Sequence, residues 1–244
     1  MRIIFFDTET TGNEEWDRLV QLAVKERGKA EPIVNALYQP PVPISIESMA
    51  IHHITKKMVA DKPAFTDAPE YAELKKLFES DDTLAVAHNA AFDIAMLGRE
   101  GITPKRTLCT YKVAHALDPN DAIPNYRLQF LRYFLGLELD APAHDAMGDV
   151  LVLEALFERL LKRVEAEKGS EADALSEMEM ISSRPMLFTT IRFGKHSGKR
   201  LEDVARTDAP YLEWLLAQKK QTPDAEADWI YTLEHYLRRS ARGI

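Results

Sequence analysis

The sequence is poor in cysteine, with Cys109 standing alone among 244 residues. One thiol excludes an internal disulfide framework and a four-cysteine zinc site. Long apolar runs are lacking too, since no segment approaches the roughly 18 residues that span a bilayer. The N-terminal run Ile3–Phe6 is interrupted almost at once by Asp7 and Glu9, which does not fit a signal peptide. No repeat recurs at a fixed period. An excess of positive charge is also missing: 31 Lys and Arg face 39 Asp and Glu, a formal net charge of −8, whereas nucleic-acid binders usually carry a basic footprint. What remains, 45% hydrophobic and 29% charged residues, is ordinary globular composition at a length that accommodates one large domain and a small one. These absences lead to the expectation of a soluble, cytoplasmic protein without a membrane partner.

What is present is a set of short acidic signatures. Ile3-Ile4-Phe5-Phe6 is apolar and rich in β-branched and aromatic residues, so it reads as a buried central strand, and Asp7-Thr8-Glu9 closes it. Residues two apart on a strand share a face, so Asp7 and Glu9 project together, about 7 Å apart along the backbone. Burying two carboxylates there without a counter-ion is expensive. Thr10-Thr11-Gly12 follow, and Gly12 lets the backbone pass close to a ligand. Thr83–Ala87 reads as a second short buried strand, with His88-Asn89 on a strand-to-helix turn. Asp93 then falls in the first helical turn, where the helix dipole favours an anion. Apolar residues recur at helical spacing from Ala146 to Val164. His144 and Asp149 are five apart, about 140° net around a helix. They cannot share one face, so His144 is expected on the preceding loop, free to swing, with Asp149 on the helix. Each signature alone is also ordinary chemistry: a turn acid, a first-turn helix acid, a helix-capping Asp145 beside a surface histidine. Together, in this order, four carboxylates and a histidine are enough to hold two divalent ions about 3.5 to 4 Å apart and activate a water for in-line attack on phosphorus. A nuclease is the leading expectation.

Phe-Asp-Thr-Glu-Thr-Thr-Gly at 6–12, His-Asn-Ala-Ala-Phe-Asp at 88–93 and His-Asp-Ala-Met-Gly-Asp at 144–149 resemble the three motifs of the DEDDh (DnaQ-like) exonucleases. That family includes proofreading epsilon subunits, RNase T, oligoribonuclease and exonuclease X. Ile51-His52-His53-Ile54-Thr55 and the segment Met58–Pro63 resemble the stretch between the first two motifs in epsilon and exonuclease X. The resemblance implies that Asp7 bridges two Mg²⁺ or Mn²⁺ ions, that Glu9 and Asp149 hold the ion carrying the nucleophilic water, that Asp93 supports the second ion, and that His144 is the general base. It further implies that the backbone at Thr10, Thr11 and Gly12 grips the terminal nucleotide, with His52, Asn89 and Phe92 as further substrate contacts. Phe92, falling on the apolar helix face, equally suits the core.

The resemblance covers residues 1–168. Residues 169–184, with Gly and Pro punctuation, read as a connector containing a short helix around Ala172–Met180. Residues 185–244 read as a small α+β domain with a strand at Leu187–Phe193, a basic loop Gly194–Arg200 and three helical patterns. Phe193-Gly194-Lys195-His196-x-Gly198-Lys199 and Tyr211-Leu212-x-Trp214-Leu215 resemble the small C-terminal domain of exonuclease X, where epsilon has a polymerase-binding tail. Lys195, Lys199 and Arg200 in that glycine-flanked loop suit phosphate contacts; a solvated hairpin tip is the alternative. Tyr211 and Trp214 are expected in a core.

The fold expected for residues 1–168 is α/β, a ribonuclease H-like mixed sheet flanked by helices, with strands near Ile3–Phe6, Val20–Glu26, Ile33–Tyr38, Leu84–Ala87 and Arg106–Cys109. The function expected is a metal-dependent exonuclease releasing mononucleotides from DNA 3′ ends, single-stranded or duplex, in repair or recombination. A proofreading or RNA exonuclease, and a silent nucleic-acid-binding module, are the alternatives; a silent relative should have lost a metal ligand, and none is lost. No protein partner is indicated by the sequence.

Overall fold

Arg2–Thr10 forms β1, the strand around which the first unit is organised, in a computed structural model that describes residues 1–139, 145–222 and 226–241. It is followed by β2 (Leu19–Glu26), β3 (Val34–Leu37), α1 (Ile46–His52), α2 (Lys56–Val59), α3 (Tyr71–Phe78), β4 (Thr83–Ala87), α4 (Ala91–Arg99), β5 (Thr107–Cys109), α5 (Thr110–Ala116), α6 (Leu128–Phe134), α7 (Ala146–Lys168), α8 (Glu171–Ser183), α9 (Leu201–Thr207), α10 (Ala209–Lys219) and α11 (Ala227–Ala241). The strand order is β3-β2-β1-β4-β5, antiparallel from β3 through β1 and parallel from β1 through β5. This is the mixed sheet the sequence leads one to expect.

Alternation along β1 sets the layers. Ile4 and Phe6 enter a core with Leu22, Val24, Phe78, Met96 and Leu97. Phe5 points the other way, meeting Phe157 of α7 edge-on at 5.2 Å between ring centroids, an arrangement that adds about 0.5–1.5 kcal/mol to the burial itself. The α7 helix is capped by Asp145, whose carboxylate accepts from the Gly148 N–H at 3.1 Å, and it ends at Gly169 with φ of 90°. Lys25 to Glu154 at 2.5 Å, and Arg27 to both oxygens of Glu158 at 2.6 and 3.0 Å, tie α7 to β2.

The strand outruns its parallel partner. β1 pairs with β4 from Arg2 to Phe5 only, while its pairing to β2 continues to Thr10 with an irregularity between Glu9 and Thr10. Asp7 and Glu9 therefore lie within the strand rather than beyond its end, on a stretch where the β4 side is open.

Residues 169–184, expected as a connector, are mostly helix. α8 belongs with the first unit, which comprises residues 1–114 and 125–182. Ala174, Leu175 and Met178 are buried on it, and Arg106 makes a two-toothed contact to Glu179 at 2.7 and 3.2 Å. Apolar burial on one face overrides the polar composition that suggests a linker. The second unit comprises residues 115–124 and 183–244, with a core of Ile191, Leu201, Val204, Leu212, Leu215 and Leu233. The strand expected at Leu187–Phe193 reduces to a single bridge between Thr190 and Arg200. The pairing is short: Thr189 and Ile191 exchange backbone hydrogen bonds with Lys199 and Leu201, while the Met186 and Phe188 N–H groups donate to side chains of α11, Asp228 at 2.8 Å and Thr232 at 3.0 Å. Among the described residues no helix is long and apolar enough to cross a membrane.

Candidate active site

Asp7 and Glu9 share the face of β1 that carries Phe5, and that face is the one covered by α7. Asp149 sits in the first turn of α7, and oxygens of Asp7, Glu9 and Asp149 all lie within 4.8 Å of one another. Asp93, buried in the first turn of α4, reaches the open edge of β1, where its Oδ1 accepts from the Thr8 N–H at 3.1 Å and the Thr8 hydroxyl at 2.7 Å. A side-chain carboxylate thus takes the backbone partner that β4 no longer supplies.

The electrostatics follow from burial and crowding. Burial first, then the charges of Asp93, Asp149 and Glu9, hold the Asp7 carboxyl well above the usual range. Burial and the neighbouring Asp149 and Asp93 push Glu9 up to about 8. Burial raises Asp93 to about 7 against the two Thr8 hydrogen bonds, which pull it down. Among the described residues neither Asp7 nor Glu9 has an ion pair to lysine or arginine. Converging hard oxygen donors suit a divalent cation.

Neutral amides position this cluster. Gln129 on α6 donates to Oδ1 of Asp149 and accepts from Arg132 at 3.4 Å. Its orientation is fixed because a carboxylate only accepts and a guanidinium only donates. Arg132, itself buried, also donates to the Leu139 carbonyl. On the other side Gln21, the cross-strand neighbour of Glu9, donates to Asn35 at 3.0 Å and to the capping Asp145 at 3.2 Å. Sequence reasoning does not find Thr8, Gln21, Gln129 or Arg132, because nothing in their spacing distinguishes them from surface residues.

The Thr10–Gly12 segment is built rigidly. Thr11 donates to Asp17 at 2.6 Å and accepts from the Arg18 N–H at 3.0 Å, its N–H donates to the Arg18 carbonyl at 2.9 Å, and its carbonyl accepts from Ser45 N–H at 2.9 Å. A Cβ on Gly12 would lie 2.4 Å from the Asp17 carboxylate. The space glycine opens is filled by Asp17. His52 is buried with both ring nitrogens engaged: Nδ1 accepts from the Ile54 N–H at 2.9 Å, leaving Nε2 to donate to the Thr10 carbonyl at 3.2 Å. It braces Thr10 instead of presenting a free nitrogen to a ligand.

Asn89 adopts a left-handed φ of 60° at the strand-to-helix turn. Phe92 is only half-buried, because α4 buries Asp93, Met96 and Leu97 instead. The core alternative for Phe92 is not met. His88 is held by Tyr126 O at 2.7 Å and Thr110 at 2.9 Å, and burial lowers its pKa to about 4. His144 lies in 140–144, outside the described residues.

In the second unit the basic loop divides. Lys195 pairs with Asp208 at 2.7 Å and lies over the Tyr211 ring at 4.9 Å, and His196 Nε2 donates to the same Asp208 oxygen at 2.8 Å. Arg192 pairs with Asp121. Lys199 and Arg200 are exposed, without an ion pair among the described residues. Trp214, expected in the core, is 55% exposed, since α10 turns Leu212 and Leu215 inward.

An α/β sheet carrying a converging acidic cluster on its central strand can hold the divalent metal that phosphodiester cleavage uses, and comparison with known proteins gives that class of enzyme. Residues 4–157 match the family described as Exonuclease, so the chain belongs to the exonuclease family. Residues 191–220 match the Exodeoxyribonuclease X-like C-terminal family. The chain is 34% identical over 247 residues to Exodeoxyribonuclease 10 of Escherichia coli K12, covering 98% of this chain and all of that protein. It is 32% identical over 173 residues to the DNA polymerase III epsilon subunit of Treponema pallidum, covering 67% of this chain and 78% of that one. The structure of exonuclease X in complex with 5′ overhanging duplex DNA aligns with a TM-score of 0.56 and 28% identity, over 74% of this chain and 99% of that one.

Proposed function

We propose that this protein is a divalent-metal-dependent 3′-to-5′ exonuclease that removes mononucleotides from DNA ends. The observation that carries the reading is the convergence of Asp7, Glu9 and Asp149 within 4.8 Å, on a chain similar throughout its length to an exodeoxyribonuclease. Asp7, Glu9, Asp149 and Asp93 would hold the metal, which when bound supplies charge stabilisation at phosphorus and a water acidified for attack. Thr8 holds the Asp93 carboxylate in place, and Gln129 does the same for Asp149. The rigid Thr10–Gly12 backbone, braced by His52 and Asp17, receives the terminal nucleotide, with Asn89 and the half-exposed Phe92 beside it. His144 accepts the proton from the attacking water, a task for which an imidazole titrating near neutrality is suited. Lys199 and Arg200 of the second unit add phosphate contacts.

End-labelled single- and double-stranded DNA and RNA, incubated side by side with Mg²⁺, Mn²⁺ or EDTA, test this. Mononucleotide release from the 3′ end of DNA, abolished by EDTA, is expected. Cleavage that resists EDTA would sink the metal mechanism, fragments from a closed circle would sink the exonuclease assignment, and stronger degradation of RNA would move the substrate.

A further inference from the structure

An unexplained aromatic face flanks the carboxylate cluster. On α6, Tyr133 is 74% exposed and Phe134 49% exposed, large apolar surfaces for a seven-residue helix. Phe134 stacks on Phe130 with centroids 5.7 Å apart and planes 22° from parallel. The face has a fixed relation to the site. Residues four apart on a helix lie one above the other, so Tyr133 stands one turn beyond Gln129, whose amide holds Asp149. Arg132, which also bonds Gln129, places its guanidinium 5.4 Å from the centre of the Tyr133 ring. The guanidinium lies over the ring, and Tyr133 is still 74% exposed. A groove of about 620 Å³ runs from Arg132 and Tyr133 past Gly136 and Leu137 to Glu138 and Leu139, within the range of ligand-binding pockets.

The chemistry of the groove selects its occupant. Its cation is committed to Gln129 and to the Leu139 carbonyl, and its other charge is the acid Glu138, so it does not suit phosphate. The Tyr133 ring beside Leu137 and Leu139 suits a flat, uncharged heterocycle, and Phe134 exposes a second aromatic surface next to the groove. The face is continuous with the cluster through Gln129, so a strand whose terminal phosphodiester reaches Asp149 carries its next bases along α6.

Resting on the exonuclease reading, we infer that Tyr133, with the Phe130–Phe134 stack, forms a stacking platform for unpaired bases of the substrate strand just upstream of the terminal nucleotide. The platform reads the flatness of the bases and not their sequence, so it places a single-stranded segment at the site whatever its composition.

The test uses the full chain in EDTA, so that the strand stays intact. Single-stranded DNA oligonucleotides carry 2-aminopurine at the second, third, fourth or fifth position from the 3′ end. Binding to the wild type should quench the fluorescence at one or two of these positions. In Tyr133→Ala/Phe134→Ala the quench should disappear and Kd should rise about 5- to 150-fold for each base that loses its stack. Tyr133→Trp, which keeps a π-face, should restore both. Mn²⁺ titration by calorimetry should match the wild type, showing that the carboxylate cluster is intact. Quenching and Kd that survive in the alanine variant, or a wild type that quenches at no position, would overturn the platform. Equal loss in the tryptophan variant would also overturn it, by showing that the positions matter only for packing. These readouts need no turnover. A wild type that fails to degrade labelled DNA would instead count against the exonuclease reading and leave the quench as a separate result.

Discussion

Replacing Asp7 by asparagine should make the metal-free protein more stable while abolishing turnover. The exchange conserves volume and replaces one of three carboxylates lying within 4.8 Å of one another by an amide that can donate to the other two. Two unit charges that far apart repel by about 3 kcal/mol at an effective dielectric of 20. The sign follows from the raised pKa values. Glu9 titrates at about 8 and Asp93 at about 7 in the folded protein, whereas unfolded carboxyls titrate near 4. An acid raised on folding leaves stability intact below its unfolded pKa, and that stability drains away as pH rises through the folded one. The wild type in EDTA should therefore weaken steadily from about pH 4 to pH 8, and the variant less, because it lacks the Asp7 carboxyl that burial and its neighbours hold well above the usual range. At pH 8.5 a gain of about 2–3 kcal/mol should raise Tm by roughly 4–10 °C for a unit of this size. Saturating Mn²⁺ should reverse the order, because only the wild type keeps the full ligand set. Calorimetric melts at pH 4, 6 and 8.5, with EDTA and with Mn²⁺, give all the comparisons. A variant no more stable than wild type in EDTA at pH 8.5 would refute the claim that the cluster is held together against its own charge.

Gln129→Leu should weaken Mn²⁺ binding measured by calorimetry and lower kcat, while Gln129→Asn, which keeps an amide, recovers part of both; equal loss in the two would make the residue a packing element. His144→Ala should leave metal binding intact and reduce kcat by about 10² to 10⁴, and the rise of rate with pH near 6–7, where a histidine loses its proton, should vanish with it. Lys199→Ala/Arg200→Ala should lower the salt slope of DNA binding by roughly 1.4 to 1.8, the release expected for two phosphate contacts. Lys195→Ala, which removes a partner of Asp208 and of the Tyr211 ring, should instead lower the Tm of the second unit and leave that slope alone.

The sheet and the acids were legible because both obey short-range rules. The five strands announce themselves as apolar runs, and the period of two places Asp7 and Glu9 together before any tertiary contact is known. The reach of β1 was not legible: where a strand stops depends on which partner continues beside it, and β2 pairs as far as Thr10 while β4 stops at Phe5. Helices α1, α2, α3, α5 and α6 gave no clear pattern, being four to eight residues long, too short for a helical period to stand out. α8 was hidden by its polar composition, and the Leu187–Phe193 segment misled because its apolar residues do not reveal that only Thr189–Ile191 meets a backbone partner while Met186 and Phe188 bond side chains of α11. Within the site, Gly12 was expected to leave room for a ligand, and the structure fills that room with the Asp17 carboxylate, packed where a Cβ would stand. Charged ligands carry their own motif; the neutral groups that aim them do not.

That neutrality has a physical logic. The start of α7 is gripped from two sides by amides, Gln21 on the capping Asp145 and Gln129 on Asp149. Lysine or arginine could have held either carboxylate more strongly, since charge-assisted hydrogen bonds are about twice as strong as neutral ones. A cation at either place would also have lowered the carboxylate pKa values and supplied positive charge that a divalent ion is needed to bring. An amide fixes direction without neutralising. Arg132 bonds Gln129, so its charge orients the amide that donates to Asp149. The cluster is left geometrically formed and electrostatically incomplete, a state that a divalent cation relieves and that a monovalent side chain would have relieved too early.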